Sequence, residues 1–344
     1  MKKNMWLSLI LSALLLTAAG CGSKPGADTT STGSDGDAEK KQFKIAISQY
    51  VEHPSLDATR EGIMAALKDA GISEPDTLKL DYNNAQNDST NNHTIAQKLK
   101  DDKNDLIIAI ATPSAQAVAD KVKDAPILFA AVTDPLDAKL VSDLEKPGGN
   151  VTGASDTNPE ATKQLMKFIN THFPEIKKIG LIINEGEPNA VVMSKTAEEA
   201  LKEYDIELVK AAVTNSSEVK QAAESLASKV DAFYITLDNN VVSAADTIIQ
   251  TAKANKIPFF ASDRDTVEKG AFATVGFKYF DHGYQVGQMA AEILNNGKKP
   301  ADMKVTIPDQ LDLILNVKAA ADYGITVTDA MKKEVKEPEN NIIQ

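Results

Sequence analysis

From Phe43 onward the chain alternates short β-rich runs with segments of helical periodicity, and after residue 156 the alternation starts afresh. Repeated β-α-β units lead to parallel sheets with helices on their faces and right-handed crossovers. In the first block the strands are Phe43–Ser48, Leu78–Tyr82, Leu106–Ile110 and Ile127–Val132. Leu106–Ile110 is apolar throughout, as strands covered on both faces are. The helices between them span Leu56–Ala70, with Gly71 as its stop, Asp88–Lys100 and Ser114–Val122. The second block opens with a helix at Thr162–His172 and places strands at Lys178–Ile183, Ile206–Ala211, Ala232–Leu237, Pro258–Ala261 and Phe272–Gly276. Its helices are Ala190–Tyr204, Ser216–Ser228, Ala244–Asn255 and Tyr279–Leu294, the last ended by Asn295-Asn296-Gly297.

The fold class is therefore α/β, with two Rossmann-like lobes of parallel sheet joined by a hinge near Pro147–Asp156. Residues 43–154 plus about 278–310 are expected to form the N-terminal lobe, and 155–277 plus about 311–335 the C-terminal lobe.

Ahead of this body stands a different kind of segment. Lys2 and Lys3 precede an apolar stretch, Met5–Ala19, too short to span a bilayer that needs about 20 helical residues. It runs through Thr17-Ala18-Ala19-Gly20 into Cys21, the single cysteine of the chain, and resembles a bacterial lipobox. A solitary cysteine in an exported protein forms no internal disulfide and needs another role. Residues 1–21 are read as a lipoprotein signal, with Cys21 the site of acylation by fatty acids such as palmitate. Residues 22–42 hold no aliphatic or aromatic side chain larger than alanine and are read as a disordered tether. The expected location is the extracytoplasmic face of the cell membrane, held by lipid.

In open parallel sheets, ligands bind beyond the carboxyl ends of the strands. Those ends share a chemistry here. In the first block they are Ser48-Gln49-Tyr50-Val51-Glu52-His53-Pro54, Ala111-Thr112-Pro113-Ser114-Ala115-Gln116 and Thr133-Asp134-Pro135. In the second they are Asn184-Glu185-Gly186-Glu187-Pro188-Asn189, Asp238-Asn239-Asn240 and Ser262-Asp263-Arg264-Asp265. Proline at a helix start removes an N–H that has no helical partner, and the remaining N–H groups suit a carboxylate. Thr112 to Ala115 is the best such nest; a plain N-cap by Thr112 or Ser114 is the alternative.

These loops, taken in order with Pro147-Gly148-Gly149-Asn150-Val151-Thr152-Gly153, resemble the ABC-transporter substrate-binding lipoproteins of the tryptophan/tyrosine type. The resemblance covers roughly Phe43 to Ala330. It implies a type I periplasmic-binding-protein fold, closing by a hinge over a small molecule and presenting it to an ABC permease and its ATPase. It also implies an aromatic amino acid, tryptophan, tyrosine or phenylalanine, as ligand. By position, Thr112, Ser114 and Ala115 would surround the ligand carboxylate, joined by Thr133 and Asp134 and by Gln49 and Glu52 of the first loop. Asn184, Glu187, Asn189, Asp238 and Asp263 would come from the other lobe, while Ala190 stands where a serine is expected. Charge complementarity to a zwitterion makes Asp238 the expected ammonium partner, with an Asx cap as its alternative role. Tyr50, Phe129 and Phe260 either flank the ligand side chain or lie in the core.

A net charge of −12 argues against nucleic acid and against direct contact with an anionic membrane surface. No nucleophile elbow, metal-binding His pair or phosphate loop occurs, so no enzyme activity, metal or cofactor is expected. The four histidines, His53, His93, His172 and His282, show no metal spacing. A monomer is expected. The alternatives keep the fold with a sugar, nucleoside or branched-chain amino acid as ligand, or make the chain a surface adhesin or sensor.

Overall fold

The computed structural model describes residues 41–344. The signal region, Cys21 and all but the last two residues of the 22–42 tether lie outside the described residues. The first block folds as β1 (Phe43–Gln49), α1 (Pro54–Asp69), β2 (Leu78–Asn84), α2 (Ser89–Asp101), β3 (Leu106–Ile110), α3 (Thr112–Lys121), β4 (Ile127–Val132) and β5 (Val151–Ser155). All five strands run parallel, in the order β2-β1-β3-β4-β5. Apolar clusters cover both faces of this sheet, which is why β3 and β4 contain no polar residue.

The second block begins with α4 (Pro159–His172), β6 (Lys178–Ile183), α5 (Pro188–Lys202), β7 (Glu207–Ala212) and α6 (Val219–Ala227). It continues through β8 (Ala232–Ile235), α7 (Asn239–Ser243), α8 (Ala245–Asn255), β9 (Phe259–Ala261), α9 (Arg264–Lys269) and β10 (Ala273–Gly276). The chain then crosses back, and α10 (Tyr279–Asn296) packs along α1 of the first lobe. A third crossing delivers β11 (Asp312–Asn316), α11 (Val317–Asp322), α12 (Asp329–Lys333), α13 (Pro338–Asn341) and β12 (Ile342–Ile343) to the second lobe. Its seven strands are ordered β12-β11-β10-β9-β8-β6-β7, with β11 antiparallel to β10 and the other pairs parallel.

The crossovers at Ser155–Pro159, Gly276–Tyr279 and Thr306–Asp312 form the hinge. The first and third are laced together: the Ser155 N–H donates to the Thr306 carbonyl at 2.8 Å and the Thr306 N–H to the Gly153 carbonyl at 3.0 Å. Two differences from the sequence reading bear on the site and the hinge. The segment expected as one helix, Ala244–Asn255, is preceded by the separate α7, because the Asp238 carboxylate caps a new helix at the Val241 N–H. The hinge segment Val151–Ser155 is itself a strand, β5, pairing with β4.

Candidate functional site

The carboxyl ends of β1, β3 and β4 face those of β8 and β9 across a buried cavity between the lobes. His53, Ser55 and Leu56 enter it from the start of α1, Thr112 from the start of α3, and Ala131 and Thr133 from the end of β4. The second lobe supplies Asn189 from α5, Leu237, Asn239 and Val242 around α7, and Asp263 from the loop after β9. Asp156 and Tyr279 come from the first two crossovers. The empty space is about 320 Å³, of which water centres can occupy only about 20 Å³, room for about one water. A solute larger than a water therefore enters only when the lobes part about the crossovers. A larger, open groove of about 720 Å³ borders the second and third crossovers, but none of its lining residues holds an unpartnered buried polar atom.

Local sequence explains how these groups are aimed. Pro54 and Pro188 occupy the first positions of α1 and α5, and Pro113 the second of α3, so each helix starts abruptly at a strand end. Ala111 and Ala131 hold φ of +81° and +52°, values uncommon for a residue with a Cβ and concentrated at functional sites. The Ala131 N–H donates to His282 Nε2 at 3.0 Å, which fixes that conformation and requires the ring unprotonated at Nε2. Burial pushes both His282 and His53 down to about 4, so both rings are neutral at pH 7.

The electrostatics of the cavity are one-sided. Asp263 uses Oδ1 to accept from the Ser55 hydroxyl at 3.0 Å and the Thr266 N–H at 2.7 Å, while its buried Oδ2 has no partner. Asp156 accepts from the Tyr279 hydroxyl at 3.2 Å and the Thr157 hydroxyl at 3.1 Å. Burial raises the Asp263 carboxyl and pushes Asp156 up to about 6; Asp265, beside Asp263, is raised to about 6 by burial and by that neighbour's charge. No Lys or Arg lines the cavity. Unpartnered acceptors also include Asn189 Oδ1. Such a site favours a cation that donates several hydrogen bonds.

Of the residues singled out from sequence, Thr112, Thr133, Asn189 and Asp263 meet in this cavity. The others are placed elsewhere. Ser114 bonds to the Ser48 hydroxyl at 2.7 Å and its carbonyl at 2.9 Å inside the first lobe, and Ala115 is in the core beside it. Gln49 donates to the Val51 carbonyl and to Asp57, and Glu52 is exposed, accepting from the Tyr82 hydroxyl. Asp134 caps the turn at Leu136 and Asp137, and Asn184 caps the turn at Gly186. Asp238, expected as the ammonium partner, accepts from the Asn184 N–H at 2.6 Å and the Val241 N–H at 3.2 Å and does not line the cavity. Burial and the charge of Glu187 hold its carboxyl well above the usual range. Phe129 and Phe260 are core residues, and Tyr50 is buried facing Glu187, which with burial pushes its phenol up to about 12. Sequence reasoning passed over Ser55, Asp156, Asn239 and Tyr279 as site residues; Asp156 and Tyr279 sit in crossovers that carry no motif of their own.

Asp156 gives a pH test. Its carboxyl has an ordinary value of 3.8 and a folded value of about 6, so the folded state keeps a proton that the unfolded chain has released. Stability from this group is lost as pH rises from about 4 to 6 and stays lost above. Asp156→Asn is expected to exceed the parent's stability at pH 7 by up to about 3 kcal/mol, with the gap closing towards pH 4. Urea unfolding at both pH values checks this; an equal gap at each would remove burial as the cause. His53 and His282 act in the opposite sense but cancel between parent and variant.

The sequence profile of the ABC transporter substrate binding protein family matches residues 44–338. A tyrosine-binding protein of Clostridioides difficile strain R20291 is 42% identical over 318 residues, 92% of this chain and 91% of its own. Among solved structures, an ABC domain in complex with L-Trp from Streptococcus pneumonia is 34% identical and superposes with a TM-score of 0.82, covering 88% of this chain and 100% of that one. The ligand-free, open structure of a substrate binding protein with adhesive properties from Clostridium difficile is 39% identical, covering 88% and 98%, yet its TM-score is only 0.64. The chain thus superposes better on the Trp complex than on the open form, although its sequence is nearer the latter, which matches the shut cavity.

Proposed function

This chain belongs to the ABC transporter substrate-binding protein family, and from that premise we propose that it captures an aromatic amino acid for import, tethered outside the membrane through Cys21. It is a binding protein and not an enzyme. The observation that carries the ligand reading is the free, fully buried Oδ2 of Asp263 in an acidic cavity without Lys or Arg. An α-ammonium supplies the missing charge and donors. Thr112 and Thr133 line the same cavity from the first lobe, Thr112 as the first residue of the ten-residue α3, where a carboxylate is favoured. The names of the relatives, tyrosine-binding in one and bound to L-Trp in another, support the same class.

Closing over the ligand removes this charge pair from water, so the amino acid binds the shut form better and shifts the lobes towards it. A thermal-shift panel of the twenty amino acids, several sugars and several nucleosides, run on refolded protein, tests the reading. At about 100 times its dissociation constant a ligand adds about 2.7 kcal/mol. A shift with tryptophan, tyrosine or phenylalanine supports it; shifts with sugars or nucleosides alone overturn it. Anchoring is tested separately: Cys21→Ser is expected to move the protein from the membrane fraction to the soluble one, and retention at the membrane would remove the lipid. A second reading, surface adhesion, draws on the adhesive properties of the 39% identical relative, and gains if no solute shifts the protein.

A further inference from the structure

Glu187 was expected in the pocket, yet it lies behind the cavity wall, buried and with no Lys or Arg bonded to it. Its Oε2 accepts from the Asn239 N–H at 3.0 Å, Asn239 Nδ2 at 2.6 Å and Asn189 Nδ2 at 3.1 Å. Its Oε1 accepts from the Asn240 N–H at 3.1 Å and Asn240 Nδ2 at 2.7 Å. All five partners are donors, so both oxygens act as acceptors only.

This fixes which way three amides point. Asn189 gives its Nδ2 to Glu187 and to the Leu237 carbonyl at 2.7 Å, which leaves its Oδ1 as a free acceptor on a cavity-lining residue. Asn240 gives its Nδ2 to Glu187 and thereby turns Oδ1 towards the other lobe, where it accepts from Asn87 Nδ2 at 2.6 Å. Asn87 is held for that contact: its N–H donates to the Tyr50 carbonyl at 2.9 Å, and its φ is +61°. Two interlobe side-chain bonds therefore span the closed lobes, Asn87–Asn240 and Ser55–Asp263.

We propose that Glu187 is the positioning residue that couples ligand capture to lobe closure. It orients Asn189 and Asn239 in the cavity wall and Asn240 at the seam between the lobes. One carboxylate thus sets the polarity of the cavity and of the closing contact together. Losing it leaves Asn189 held through Nδ2 by the Leu237 carbonyl alone and frees Asn240 to turn away from the seam. The effect on affinity rests on the cavity being the ligand site; the effect on closure does not.

The test pairs Glu187→Gln with Asn87→Ala on the other lobe. The readouts are the distance between spin labels on the two lobes of the ligand-free protein and the affinity for L-tyrosine and L-tryptophan. Asn87→Ala is expected to open the ligand-free lobes and to weaken binding roughly three- to tenfold, the effect of one net hydrogen bond. Glu187→Gln is expected to open them equally and to weaken binding further through Asn189. The double variant should be no more open than Glu187→Gln alone. Additive opening, or a Glu187→Gln protein with the parent's distance and affinity, overturns the proposal. Should Glu187→Gln fail to fold, Asn240→Leu replaces it: lobes as open as in Asn87→Ala support the coupling, and lobes as closed as the parent's refute it. If no variant and no parent binds an amino acid, the ligand reading falls while the distances still decide the coupling.

Discussion

Asp263→Asn is expected to weaken binding of tyrosine or tryptophan by on the order of 100-fold or more while leaving the unfolding midpoint unchanged or slightly higher. The asymmetry follows from how the carboxylate divides its work. Oδ1 caps α9 at the Thr266 N–H and receives the Ser55 hydroxyl, and an asparagine carbonyl performs both tasks. Oδ2 has no partner in the protein and is the atom left for a ligand. An amide there presents N–H groups to an ammonium and carries no charge. Removing one member of a buried charge pair costs about 2–5 kcal/mol. Isothermal titration of parent and variant decides it, and equal affinities would exclude Asp263 from the site. Acidification should act in the same direction. Burial raises Asp263, and Asp156 and Asp265 stand at about 6, so an ammonium ligand must displace protons at low pH. Affinity should rise with pH through about 6 and level off above it. Asp238→Asn is the control. Both of that carboxylate's oxygens serve backbone N–H groups, so affinity should stay close to the parent's.

The contrast between these two aspartates marks where sequence reading stops. Each follows a buried strand, and each has a backbone N–H three residues on to cap. What separates them is tertiary. The helix capped by Asp263 stands against the start of α1 in the other lobe, bringing Ser55 and the cavity to one side of the carboxylate. Asp238 instead meets the Asn184 turn of its own lobe. Glu187 is similar: its place in a polar loop marked it as a site residue, but only the fold shows that it holds three asparagines. Strands were easier. β1, β3, β4 and β6 are buried on both sides and read as apolar runs. β5 escaped because Val151-Thr152-Gly153-Ala154-Ser155 is small and partly polar, and its pairing with β4 is a long-range fact. α9, six residues long, is too short to show a helical period.

Gly283→Ala is expected to cost the fold several kcal/mol. Gly283 lies where α10 crosses α1, and a Cβ there would stand 1.9 Å from the Thr59 carbonyl oxygen. Gly62 and Gly287 line the same contact: a Cβ on Gly62 would be 2.0 Å from the Phe280 oxygen, and one on Gly287 2.5 Å from the Ile63 oxygen. These are backbone atoms inside helices and cannot swing aside. Relief requires the two helices to part by more than 1 Å, roughly the difference between 1.9 Å and an ordinary contact near 3.4 Å. Parting them opens voids around Ile63, Val286 and Ala290, all buried, so overpacking and cavity costs add. Gly149→Ala is the matched control, since nothing lies within 4 Å of a Cβ there. Urea unfolding of the three proteins checks the prediction; a Gly283→Ala midpoint equal to the Gly149→Ala midpoint would refute it. The consequence reaches function because α10 follows the second crossover directly. Its first residue, Tyr279, lines the cavity and donates to Asp156, and His282, adjacent to Gly283, holds the Ala131 N–H. A helix displaced from α1 moves both groups, so any Gly283→Ala protein that still folds should also bind its ligand more weakly than the Gly149→Ala control.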